Sequence, residues 1–145
     1  MPLAVGTDAP AFTAKDTNGN TVSLSDFAGK TVVVYFYPKD DTPGCTKQAC
    51  SFRDAQSEYQ GKNIVVLGVS ADDQAAHQAF TTKYNLNFPL LVDTDKALIT
   101  AFDVDGGGYA KRVTFVIDPN GKIVHVDSAV NTTTHASDVL KVLGL

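Results

Sequence analysis

At 145 residues, with 43% hydrophobic and 19% charged side chains, the chain has the size and composition of one globular domain, not of a disordered segment. A formal net charge of -4 and the absence of any basic run argue against a nucleic-acid partner. The longest apolar run, Val32 to Tyr37, falls far short of the ~20 residues a membrane helix needs. The N-terminus has no secretory signal pattern, so the expectation is a cytoplasmic protein, with a processed organellar form equally compatible.

The first elements expected are short β-prone runs, Ala11 to Ala14 and Thr21 to Leu24, joined through Asn18-Gly19 as a hairpin. Ser25 to Lys30 reads as one helical turn ending at a glycine. Thr31 to Tyr37 is continuously β-branched and aromatic, which predicts a strand buried on both faces. Pro38 stops it, and Lys39 to Gly44 reads as a loop. A helix is predicted from about Cys45 to Tyr59, with Ala49, Phe52, Gln56 and Tyr59 at helical spacing and Gly61 as its stop. Asn63 to Ser70 is a second buried strand, and Asp72 or Asp73 can cap a helix running to Tyr84. A short strand from Phe88 to Val92 and a short helix from Lys96 to Phe102 follow. Val113 to Asp118 and Lys122 to Asp127 flank Pro119-Asn120-Gly121 as a second hairpin. A last helix begins at Thr133 or Thr134, with Val139, Leu140 and Leu143 on one face. Strands alternating with helices predict an α/β fold, with a mixed central sheet flanked by helices. The loop after the first central strand lies at that strand's carboxyl end, where open α/β sheets place their sites.

That loop leads into the chain's two cysteines, Cys45 and Cys50. Bridged, they would close too small a loop to stabilise much, so their proximity points to reactivity. Cys45 is expected in the first turn of a helix, where unpaired N–H groups and the helix dipole favour an anion and hence the thiolate. Pro43 and Gly44 permit close backbone approach, and the same N–H groups can hold a peroxide oxygen. The Thr42 hydroxyl can donate and accept, and Pro38 can screen the sulfur from water. A thiolate attacking a peroxide becomes a sulfenic acid, which condenses with a second thiol. Cys50 is the one partner within the chain. Five residues along an α-helix separate two Cα atoms by about 8.6 Å. A disulfide tolerates at most about 7 Å, so the helix start must unwind to form one.

Arg112, just before the Val113 strand, is a candidate cation for the thiolate, although an arginine in that position is also readable as a surface residue. Gln48, one turn beyond Cys45, can orient it. Arg53 beside Asp54 reads as a surface pair. Two inert buried cysteines remain an alternative. A zinc site is disfavoured because His77, His125 and His135 show no paired spacing near the cysteines.

Two stretches, Tyr35 to Asp54 with its Pro38-Lys39-Asp40-Asp41-Thr42-Pro43-Gly44-Cys45 core and Arg112 to Asp118, resemble the peroxiredoxins. The match is to the bacterioferritin comigratory protein or peroxiredoxin Q group, and the order of elements extends the likeness over nearly the whole chain. The resemblance implies a thioredoxin-like fold in a single domain. It implies Cys45 as peroxidatic and Cys50 as resolving cysteine, with Thr42 and Arg112 binding the peroxide and Pro38 shielding Cys45. It further implies reduction by thioredoxin or a similar dithiol protein, no bound cofactor, and a monomer. The segment Asp103 to Lys111 departs from the pattern: it is shorter than in many relatives and rich in glycine.

Other readings fit less well. A thioredoxin-like disulfide reductase would carry C-x-x-C and a proline before the Val113 strand; neither is present. A non-catalytic binding module would show a large apolar patch. Gly29-Lys30-Thr31 lacks the first glycine of a phosphate loop and precedes a strand, not a helix.

Overall fold

The computed structural model describes residues 2–144. The chain runs β1 (Thr13–Asp16), β2 (Thr21–Ser23), a 3-10 turn (Leu24–Phe27), β3 (Thr31–Phe36), α1 (Pro43–Gly61), β4 (Ile64–Ser70), α2 (Gln74–Tyr84), β5 (Leu90–Val92), α3 (Ala97–Ala101), β6 (Val113–Ile117), β7 (Ile123–Asp127) and α4 (His135–Val142). The strands form one seven-stranded sheet in the order β2-β1-β5-β4-β3-β6-β7. β3 pairs parallel to β4, and β4 parallel to β5. The remaining pairs are antiparallel, so the sheet is mixed, as the alternation predicts.

β3 organises the core because both its faces are covered. Val32, Val34 and Phe36 point to one side, where they meet Leu67, Leu91, Phe102 and Phe115. Val33 and Tyr35 point to the other, against Ala49 and Phe52 of α1, Phe80 of α2 and Val139 of α4. This is the period-two alternation of a strand serving two cores at once. Each fully buried large side chain contributes about 1.5–3 kcal/mol. Tyr35 stacks on Phe52 with ring centroids 4.8 Å apart and on Tyr37 at 5.4 Å. Gly68, its partner across β4, makes room: a Cβ there would stand 2.9 Å from Tyr35 Cζ and 2.8 Å from Leu90 Cδ2.

Several boundaries differ from expectation; β5, for one, begins at Leu90, not Phe88. β1 lies two residues later than expected, at Thr13–Asp16: its pairing with β2 starts with Thr13 opposite Ser23, and the Asp16 carboxylate closes the following turn by accepting from the N–H groups of Asn18 and Asn20, each at 2.9 Å. α1 begins at Pro43, not Cys45, since proline at the first helical position has no N–H to waste and a φ already suited to the helix. α1 ends at Gly61 as expected, although Gly61 is itself the last helical residue and the left-handed turn follows at Asn63 with φ 58°.

The carboxyl ends of β3, β4 and β5 share one edge of the sheet. β6 runs antiparallel beside β3 with Phe36 opposite Val113, which brings Arg112 to that same edge. No helix among the described residues is long and apolar enough to cross a membrane.

Candidate active site

Cys45 is the third residue of α1, with Thr42 as N-cap and Pro43 and Gly44 between them. Thr46 is the first residue whose N–H closes the helix, donating to Thr42 O at 2.8 Å. The N–H groups of Gly44 and Cys45 therefore lack a partner one turn back inside the helix, and they point with the positive end of its dipole. Cys45 is buried at 1% exposure, whereas Cys50 is half-buried; both are free thiols on one unbroken helix.

Arg112 reaches this helix start from the opposite side. One guanidinium nitrogen donates to Cys45 Sγ at 3.2 Å and another to Gln48 Oε1 at 2.7 Å. Gln48 is fully buried, and its amide nitrogen has no protein partner. A buried amide oxygen thus fixes the guanidinium, and the guanidinium in turn touches the sulfur. Gly44 makes that approach possible, since a Cβ there would lie 3.1 Å from a guanidinium nitrogen and 3.8 Å from the Thr132 methyl.

Thr42 is half-buried and its hydroxyl donates to Lys39 O at 2.9 Å. That bond commits the hydrogen, so the oxygen faces a ligand as an acceptor. The side chain does not cap α1, although Thr42 is the N-cap residue. Pro38 is half-buried directly after β3, where the Tyr37 N–H donates to Val69 O at 3.1 Å. The structure thus gathers Cys45, Gly44, Gln48 and Arg112 in mutual contact, with Thr42 at the helix N-cap and Cys50 further along the same helix.

Two features lie outside the sequence reading. Asp40, in the loop ahead of Cys45, is buried and bonded to His77 of α2, with Asp40 Oδ2 and His77 Nδ1 2.6 Å apart. Helical spacing alone gave no hint of it, because the partners stand 37 residues apart. The signal available was a histidine on the inner face of a helix that crosses back toward the loop. Arg53 is also more than a surface pair: besides holding Asp54 it donates to Tyr84 O at 2.8 Å, tying α1 to the end of α2.

The AhpC/TSA family matches residues 5–126. A putative peroxiredoxin bcp of Coxiella burnetii is 45% identical, over 97% of this chain and 98% of its own length. A solved cysteine-to-serine variant of Xylella fastidiosa PrxQ superposes with a TM-score of 0.92 at 31% identity, covering 99% of this chain and 97% of that one. The Xanthomonas campestris bacterioferritin comigratory protein, solved in work on its alkyl peroxide reduction activity, superposes with a TM-score of 0.85 at 35% identity over 92% and 90% of the two chains. The seven-stranded sheet is thus the thioredoxin-like fold of peroxiredoxins, and the chain belongs to the AhpC/TSA family as a peroxiredoxin of the Bcp and peroxiredoxin Q group.

Proposed function

We propose that this thiol peroxidase reduces hydrogen peroxide and organic hydroperoxides through Cys45, with Cys50 closing the cycle. The observation that carries the reading is the 3.2 Å contact between the Arg112 guanidinium and Cys45 Sγ. The guanidinium thus donates directly to the sulfur that would attack, and the attacking species is the thiolate. The free N–H groups of Gly44 and Cys45, with the guanidinium, offer donors to the peroxide oxygens as charge builds on them. The Thr42 oxygen accepts the peroxide O–H. Pro38 limits water on that side.

In the first step the Cys45 sulfur bonds to the terminal peroxide oxygen. The O–O bond breaks, and the departing alkoxide leaves as alcohol, or as water from hydrogen peroxide, after taking a proton. Cys45 is then a sulfenic acid. The Cys50 thiol attacks that sulfur, and water leaves as the disulfide forms. Residues 45 to 50 must leave the helix for this, because about 8.6 Å between Cα atoms exceeds what a disulfide spans. Thioredoxin or a similar dithiol protein then reduces the bridge by exchange. The alkyl peroxide activity of the Xanthomonas relative supports organic hydroperoxides as substrates here. We read the working unit as a monomer that needs no cofactor.

The test is a thiol titration before and after one equivalent of hydrogen peroxide. Wild type should lose two thiols rapidly, and Cys45→Ser should react little. Cys50→Ser should complete one reduction but lose thioredoxin-linked turnover. Wild-type loss no faster than that of free cysteine would remove the peroxidase reading.

A further inference from the structure

We propose that His77 is a positioning residue of this site: its ion pair with Asp40 pins the 38–42 loop and so sets where Thr42 and the first turn of α1 stand. The proposal rests on the reading of Cys45 as the reacting thiol. His77 lies on α2 and touches none of the residues around the sulfur, so it acts through the loop.

The geometry assigns the protons. His77 Nε2 is 2.8 Å from Leu91 O, which can only accept, so Nε2 carries a hydrogen. His77 Nδ1 stands 2.6 Å from Asp40 Oδ2, and the other Asp40 oxygen accepts from Tyr37 OH at 2.5 Å. Were Nδ1 a bare lone pair and Asp40 a carboxylate, two acceptors would face each other at that short distance. The pair therefore holds one proton between them, and the imidazolium–carboxylate form satisfies every atom. His77 is fully buried and the Asp40 side chain is 5% exposed, so water cannot replace either partner.

The groups facing the imidazole come from three strands. Asp40 and Tyr37 follow β3, Asp72 follows β4, and the Leu91 carbonyl belongs to β5. On its own helix, Asp73 is engaged in capping Ala76. Burial opposes the charged imidazole, but the hydrogen bond and charge of Asp40, the Leu91 carbonyl and the Asp72 charge outweigh it and hold His77 above its ordinary value. Burial and the Asp40 charge keep Tyr37 a phenol, hence a donor.

The pair bears directly on the loop. Asp72 also accepts from the Asp40 N–H at 2.8 Å, so the residue is clamped by backbone and side chain together. Asp41 follows in the left-handed region with φ 58°, held by Lys83 at 2.8 Å and Tyr84 OH at 2.9 Å. The next residue is Thr42, the N-cap of the helix that carries Cys45. A shift at Asp40 passes through two backbone units to the donors around the sulfur.

The experiment compares His77→Ala and His77→Asn with wild type, by the rate of peroxide attack on Cys45 and by its alkylation with iodoacetamide, from neutral into alkaline pH. The side-chain amide introduced by His77→Asn can donate to Asp40 as Nδ1 does, but it does not titrate. His77→Ala should slow peroxide attack on the order of 10- to 100-fold, the cost of a small misplacement, and slow alkylation with it. His77→Asn should recover most of that rate. In wild type the rate should fall as alkaline pH removes the shared proton; in His77→Asn that fall should be absent. A folded His77→Ala with wild-type rates, or an alkaline fall that persists in His77→Asn, overturns the proposal. Should His77→Ala not fold, the pH profile of His77→Asn decides. Failure of wild-type Cys45 to react with peroxide would overturn the functional reading instead; alkylation unchanged in the His77 variants would still overturn this one.

Discussion

Arg112 makes two bonds that a shorter, single-headed cation cannot make together. Its fork spans Gln48 Oε1 at 2.7 Å and Cys45 Sγ at 3.2 Å. Lysine carries the charge but is a point donor on a flexible stem. Arg112→Lys should therefore slow peroxide reaction at Cys45 on the order of 10²-fold, with little change in melting temperature, as stopped-flow peroxide consumption and thermal unfolding would show. At this scale the sequence was legible where the site is local. Cys45, Thr42, Gly44 and Gln48 fall within one loop and two helical turns, so turn chemistry and helical spacing place them together. Arg112 arrives across the sheet, 67 residues on; the sequence offers it as a candidate cation that is equally readable as a surface residue, and the resemblance favours the first reading. The Asp40–His77 pair spans 37 residues: Asp40 lies within the motif ahead of Cys45, but His77 lies outside it.

α1 has two parts with different holdings. Its first turns carry both thiols and are held by the burial of Cys45, Gln48 and Ala49 and by the side-chain bonds of Arg112 to Gln48 and Cys45. From Ser51 onward the anchoring thickens. Ser51 Oγ accepts from the Ala136 N–H at 3.0 Å, Phe52 is fully buried, Arg53 grips Tyr84 O, and Tyr59 OH donates to Ala136 O at 2.6 Å. Ahead of the helix, Asp40 and Asp41 are fixed to α2 and Asp72. The proposed disulfide would therefore be expected to unwind the helix only between Thr42 and Ser51. Hydrogen exchange should show amides of residues 46–50 losing protection on oxidation while those from Phe52 to Gln60 keep theirs; spread of the loss through α1 would contradict this division. Elements were mostly legible because hydrophobic period marks strand and helix interiors. Their ends were less so. Pro43 reads as loop yet starts a helix, whereas α1 does end at Gly61, with the left-handed turn two residues later at Asn63, since asparagine also tolerates a positive φ.

For the whole molecule, the two buried histidines pull stability in opposite directions with pH. His135 is pushed down to about 4 by burial, which the charges of Asp127 and Asp138 only partly offset. Its Nε2 bonds Thr114 Oγ1 at 2.8 Å, while Nδ1 stays 3.8 Å from Asp127, too far for a hydrogen bond. Unfolded, the imidazole takes a proton below about 6.5, so the fold loses stability as pH falls from there toward its folded value, by about 3 kcal/mol in all. His77 is raised instead, so its contribution is complete below about 6.5 and is lost as pH rises through its folded value. His135→Gln, which keeps a partner for Thr114, should flatten the acid side of a urea-midpoint profile and leave the alkaline side unchanged. An acid limb as steep as that of wild type would count against the assignment. The fold class was legible at this scale because alternating strands and helices admit few arrangements. The place of β1 between β2 and β5 was not, since it rests on Lys15 pairing with Val92 and Asp16 with Leu91, contacts that no local pattern announces.

The stack of Tyr35 on Phe52 and Tyr37 has an optical consequence. The chain has no tryptophan and five tyrosines. Tyr35, Tyr37 and Tyr59 are immobilised around Phe52, Tyr84 is half-buried, and Tyr109 is 50% exposed. Near-ultraviolet dichroism is therefore chiefly a signal from asymmetric rings packed directly beneath the thiol helix. The protein carries an intrinsic, label-free chromophore at the place where the proposed disulfide would form, undiluted by indole absorption from elsewhere.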